Sequence, residues 1–293
     1  MPPLAAIPKD ISTSIEDTKH TFFLSDSVAL RVNLKTEPRS AKTAELQKGL
    51  ILVCNGIEVA GEGTGFGVPV LRYADETYFS GTSTLQVQKQ ENLVQIRKEF
   101  DIDMMERAKF RNLSLANGKL RKLIDSISTL YQKHRRLAHS ILLVKSLLLE
   151  FGVKESFTKT QSKGKIAVTY TIFPSRLLIR VEYGLINRIN LERIFALNEQ
   201  SSLFFRTYSD SDGSMLMDEE IGEWQLVTAD SAKIADYHDR VAFGLKTIRG
   251  SVLRRGREFL ANSLDWIGLD YELSPESYPF EYEIEFSGEK LNQ

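Results

Sequence analysis

At 293 residues, with a net charge of −1, one cysteine and no long uninterrupted apolar run, the chain excludes several classes of protein. An internal disulfide needs a second cysteine, a membrane helix needs about 20 mostly apolar residues, and a nucleic-acid surface needs an excess of Lys and Arg. The apolar fraction of 42% and charged fraction of 26% suit a globular chain with a full core. Met1–Lys9 lacks the charged and apolar regions of a secretory signal, so a cytoplasmic protein is expected, with no membrane span and no nucleic-acid partner.

Residues 1–20, rich in Pro, Ser and Thr, are expected as a loose lead-in. From there the dominant period is two. Val28, Leu30, Val32 and Leu34 alternate with polar or small residues, which places them on one face of a strand. Cys54 ends the apolar run Leu50–Cys54 and reads as a small buried hydrophobe.

Four glycines follow at every second position, Gly61, Gly63, Gly65 and Gly67, with Glu62, Thr64 and Phe66 between them. In an extended segment this spacing strips one face bare. Such glycines serve a bend, a bulge, or close approach of a backbone or ligand. The run matches neither a dinucleotide fingerprint nor a phosphate loop, whose glycine spacing and following Lys-Ser/Thr are missing.

Leu85 and Val87 lead into the polar turn Lys89–Asn92, after which Val94, Ile96, Phe100, Ile102 and Met104 share one parity. This predicts a long antiparallel hairpin with one wet face. Residues 120–148 break the rule: Leu120, Leu123, Ile127, Leu130, His134, Leu137, Ile141, Val144 and Leu148 recur at gaps of three and four. That pattern predicts one long amphipathic helix over about 118–150, on the order of 43 Å at 1.5 Å per residue. Its broad stripe suits covering a sheet, pairing with a twin helix, or docking a lipid or protein partner. Strands resume in a second hairpin around Phe173-Pro174-Ser175 and close on Phe280, Tyr282, Ile284 and Phe286 interleaved with glutamates.

The expected fold is therefore mainly β, a large antiparallel β-sandwich with one long helix in the middle of the chain. Residues 21–293 are read as a single unit with a helical insertion at about 115–151. The alternative is two lobes, 21–115 and 152–293.

Motifs with chemistry are few. Asp210, Asp212, Gly213 and Glu219 imitate part of a calcium loop, but its first ligand position falls on Tyr208, and an Asp/Gly hairpin turn explains the run better. His134 and His139 lie about 140° apart around a helix and cannot share a metal. No metal or cofactor is expected. Among the carboxylates Glu62, Asp75, Glu219 and Glu258 are weak catalytic candidates, because paired acids perform proton transfer on sugars. Trp224 and Trp266 each stand beside a carboxylate and a glycine, and Arg72-Tyr73 follows the glycine run. Flat aromatic faces beside acids and an arginine suit a saccharide, so Arg72, Tyr73, Trp224 and Trp266 are the expected ligand-binding residues. The leading functional expectation is a carbohydrate-binding or carbohydrate-modifying protein. The alternative is an assembly module docking a partner or its own copy through the 120–148 helix.

Overall fold

The structure is a computed structural model that describes residues 12–16, 19–33, 46–74, 76–90, 93–110, 113–114, 153–173, 175–260, 264–276 and 278–288. Five strands, β1 (Ser12–Glu16), β2 (Lys19–Phe23), β3 (Val28–Asn33), β4 (Ile51–Cys54) and β5 (Ile57–Glu58), pair antiparallel in that order. Part of the stretch expected as a loose lead-in is thus strand.

A second, 16-stranded sheet holds the rest. Its first strands are β6 (Gly65–Tyr73), β7 (Glu76–Gln90), β8 (Leu93–Phe110), β9 (Leu113–Ser114) and β10 (Val153–Lys159). Next come β11 (Gly164–Phe173), β12 (Arg176–Ile186), β13 (Leu191–Gln200), β14 (Phe205–Asp210), β15 (Met215–Met217) and β16 (Gln225–Leu226). The last are β17 (Ser231–Asp236), β18 (Ala242–Lys246), β19 (Ser251–Leu260), β20 (Leu264–Leu273) and β21 (Phe280–Ser287). The path across it runs β15-β14-β17-β18-β21-β12-β11-β8-β7-β6-β13-β20-β19-β16, with β9 and β10 also paired to β8. It begins and ends on strands that are near neighbours in sequence.

The sheet folds back on itself around β8, β7 and β6, so that β6 lies over β11 and β12, and β20 over β17. Register shifts at Phe79–Thr82 sit where β7 leaves one half for the other, as bulges commonly accompany such bends. Between the halves, Phe66 of β6 meets Phe243 and Phe286 edge-on at 5.2 and 5.7 Å. The Tyr170 hydroxyl of β11 donates to the carbonyls of Phe66 and Gly67 at 3.1 and 3.2 Å. The core is sheet against sheet: a β-sandwich made by one continuous sheet.

This corrects the expected sandwich with a long helix at its centre. Among the described residues there is no α-helix, only strands, turns and a single 3-10 turn at Asp218–Glu220. The inner face that a covering helix would have shielded is shielded by the other half of the same sheet. The 118–150 segment lies outside the described residues, and with it every partner surface assigned to it. Among the described residues no helix is long and apolar enough to cross a membrane. The Asp210 run is a hairpin turn between β14 and β15: Asp210 Oδ1 accepts the N–H groups of Asp212 and Ser214 at 3.1 and 3.0 Å.

Candidate functional site

On β20 the residues Ile267, Leu269, Tyr271 and Leu273 are all fully buried in the core. Alternation therefore turns Trp266, Gly268, Asp270 and Glu272 to the outer face. Register carries that face sideways: Glu199 of β13 stands opposite Gly268, Gly256 of β19 stands opposite Gly268, and Glu258 stands opposite Trp266. Across three strands the row Glu199–Gly268–Gly256 thus carries one side chain. Gln225 pairs with Arg255, which sets Trp224 beside Gly256 at the end of that row.

The two indoles occupy the space the glycines leave. Trp224 and Trp266 stack with ring centroids 4.8 Å apart and planes within 13°. A Cβ on Gly256 would lie 3.0 Å from Trp224 ring carbons and 3.1 Å from the Trp266 ring, so this glycine is the floor on which the pair stands. Both tryptophans are half-buried, and neither belongs to the core.

Carboxyls gather at the same place. A Cβ on Gly268 would lie 3.0 Å from Glu199 Cγ and 3.3 Å from Asp270 Oδ1, so the two acids lean over one glycine. Glu199 Oε2 accepts the Thr64 N–H at 3.3 Å. Asp270 is 2% exposed; its Oδ1 accepts the Asn198 N–H at 2.6 Å and its Oδ2 has no hydrogen-bond partner. Burial pushes the Glu199 carboxyl up to about 7, against the opposing pull of the Thr64 hydrogen bonds and the Lys48 charge. Burial, and then the neighbouring Glu199 charge, push Asp270 well above the ordinary carboxylate range. Two acids over one glycine, in a setting that disfavours charge, resist double ionisation.

The glycine run forms one wall. Lys48 Nζ donates to the Gly61 carbonyl at 2.9 Å, and the Glu62 N–H donates to the Asp265 carbonyl at 3.1 Å. The Asp265 carboxylate in turn accepts the hydroxyls of Ser201 and Ser202 at 2.6 and 2.7 Å. Glu62 is thereby fixed one residue from Trp266. The carbonyls of Glu199 and Leu50 lie 2.7 Å from where the Cβ atoms of Gly63 and Gly65 would be. Backbone, in short, occupies the face those glycines bare.

Of the residues expected from sequence, Trp224, Trp266, Glu258 and Glu62 meet at this end of the sandwich. Arg72 and Tyr73 do not. They stand at the far end of β6, about 23 Å of strand beyond Gly65 at roughly 3.3 Å per residue. There Arg72 Nε donates to the Ala74 carbonyl at 3.4 Å and the Tyr73 hydroxyl donates to the Asn187 carbonyl. Glu219 is exposed on the 3-10 turn. Asp75 lies outside the described residues. Glu199, Asp270 and Gly256 escaped the sequence reading, although Trp266, Gly268 and Asp270 share one parity. A separate groove of about 510 Å³ on β14, β17, β18 and β21, lined by Lys233, Lys246, Glu283 and Glu285, contains none of the expected residues.

No family model and no curated protein matches the chain. Among solved structures it is similar to ligand-free α-N-acetylgalactosaminidase NagBb from Bifidobacterium bifidum, at 12% identity and a TM-score of 0.45 over 90% of this chain and 35% of that one. The GalNAc complex of that protein aligns at 8% identity and a TM-score of 0.42, over 94% and 35% of the two chains. HI1317 aligns at 8% identity and a TM-score of 0.37, over 97% of both chains. This chain spans about a third of the length of NagBb.

Proposed function

We propose that this chain binds a carbohydrate on the outer face of β13, β20, β19 and β16, against the Trp224–Trp266 pair. The observation that supports this reading most is the stack itself. Two half-buried indoles lie parallel over a glycine floor, with Glu258 in register beside one ring and Glu199 beside the floor. A sugar ring offers an apolar C–H face to an indole and hydroxyl donors to carboxylates at its rim. Ligand sites combine such apolar surface with a few placed polar groups. Arg72 and Tyr73 lie too far along β6 to share this ligand.

Trp224 and Trp266 are the only tryptophans of the chain, so its indole emission reports this site alone. Titration with a panel of mono- and oligosaccharides and sugar acids is expected to shift that emission for at least one member. The same ligand at about 100 times its dissociation constant stabilises the fold by about 2.7 kcal/mol, visible as a melting shift of several degrees. Trp266→Ala is expected to abolish both responses while leaving a cooperative melt. A panel that moves neither the emission nor the melt of the wild-type protein rules the reading out.

A further inference from the structure

We propose that the enclosed Asp270 keeps its proton at neutral pH while Glu199, beside it over Gly268, gains and loses one, which makes Glu199 the acid–base group of the tryptophan shelf and Asp270 the residue that positions it. The inference rests on the saccharide reading for its substrate but not for its titration.

Three observations carry it. Both side chains converge over Gly268, within contact distance of the same missing Cβ. Asp270 is 2% exposed and has an oxygen without any partner, an arrangement that a protonated carboxyl tolerates far better than a carboxylate. Glu199 is less enclosed, accepts one backbone N–H, and stands in the same cross-strand row as Gly256, the floor of the indole pair.

Of the surrounding cations, Lys48 acts on Glu199 and favours its ionised form. Lys48 is engaged with the Gly61 carbonyl. Arg254, opposite Asp270 in register, reaches Glu272 at 2.6 Å, and Arg193 reaches the other oxygen of Glu272 at the same distance. Burial raises both acids, and the Glu199 charge raises Asp270 further. At pH 7 the less buried member can give its proton to an oxygen of a bound sugar, or as carboxylate take one from a hydroxyl.

The test uses the ligand-free protein. Tryptophan emission followed from pH 5 to pH 9 is expected to show a transition centred near 7, lost in Glu199→Gln. Asp270→Asn, which stands in for the protonated carboxyl, is expected to leave the midpoint near 7. A midpoint that falls by about one pH unit or more in Asp270→Asn, which would mean that Asp270 is ionised where Glu199 titrates, or a transition that persists in Glu199→Gln, overturns the proposal. Should either variant fail to fold, wild-type protein labelled at its glutamate carboxyl carbons supplies the same answer. One glutamate titrating near 7 in its carbon spectrum supports the pair, and none doing so overturns it. A silent saccharide panel with a positive titration would remove the ligand but keep the dyad; the reverse would keep the ligand and remove the dyad.

Discussion

Between pH 7 and pH 9 wild-type protein is expected to gain about 2 kcal/mol of stability relative to Lys98→Met, a difference from which the raised Glu199 and Asp270 carboxyls, common to both proteins, cancel. Lys98 lies on the inner face of β8, 3% exposed, with Nζ donating to the Lys48 carbonyl at 2.5 Å and standing 5.1 Å over the Phe100 ring. Burial pulls its ammonium down to about 7 from 10.5. Below pH 7 folded and unfolded chains both hold the proton, and the folded chain bears the whole cost of burying it. Between 7 and 10.5 the unfolded chain holds a proton that the folded chain has released, so stability rises with pH across that window. The full shift corresponds to about 5 kcal/mol, of which about 2 develops by pH 9. Above pH 9 the buried tyrosines oppose the trend, since burial raises Tyr73 and Tyr183 to about 12 while the unfolded chain ionises near 10. Lys98→Met gives up the charged bond to the Lys48 carbonyl, at about 1–3 kcal/mol, yet removes the charge. Urea unfolding of both proteins at pH 7 and pH 9 decides the matter: parallel behaviour across the two pH values would sink the assignment.

Gly49→Ala is expected to cost about 4 kcal/mol or more, enough to threaten folding. Its Cβ would lie 1.8 Å from the Phe66 carbonyl oxygen and 2.8 Å from the carbonyl carbon. This is where the five-stranded sheet is pinned to β6. Gly49 donates to the Thr64 carbonyl at 2.9 Å, while Leu50 and Phe66 exchange bonds of 3.2 and 2.8 Å. Separating the backbones to admit a methyl group breaks all three, at about 1 kcal/mol each with a further penalty for any polar group left buried and unpaired. Gly67→Ala is expected to cost less, about 1–3 kcal/mol, because φ is +73° and the Tyr170 ring edge stands 2.8 Å from the new atom. Gly213→Ala serves as the control: its φ of +86° carries strain, but nothing lies within 4 Å. Denaturant midpoints should fall in the order Gly213, Gly67, Gly49. A Gly49→Ala protein within 1 kcal/mol of wild type would show that the pin is not rigid.

The β character was legible because alternation is local. Val94, Ile96, Phe100, Ile102 and Met104 declare a buried face without knowledge of what covers it, and the same parity places Lys98 inside. What alternation cannot declare is the partner of that face. A second half of the same sheet and a layer of helix bury an apolar stripe equally well; the helix itself is expected from the three- and four-residue gaps over 120–148. The tryptophans were legible as candidates through their neighbouring acids and glycines. Their meeting was not, because it requires β16 and β20 each to pair with β19, and no local pattern encodes that choice. Arg72 and Tyr73 failed for the opposite reason. They are near the glycine run in sequence, but an extended chain turns seven residues into more than 20 Å. Glu199 left a signal in Asn198-Glu199-Gln200, a polar run inside a strand with an otherwise apolar inner face, since buried polar residues are the informative exceptions in such strands.

The long sheet opens and closes on strands of three and two residues, β15 and β16, separated in sequence by little more than the 3-10 turn. Asp218 of that turn accepts two bonds from Arg206 of β14, at 2.7 and 2.8 Å, and lies 3.4 Å from Arg257 of β19. One carboxylate therefore holds the two rims of the path to each other. Unpaired strand edges are the templates on which other chains add strands, and short, clasped edges offer little to copy. Along this path a foreign strand has to add beside the Asp218 seam, so this partly buried ion cluster bears on how readily the protein polymerises through this sheet.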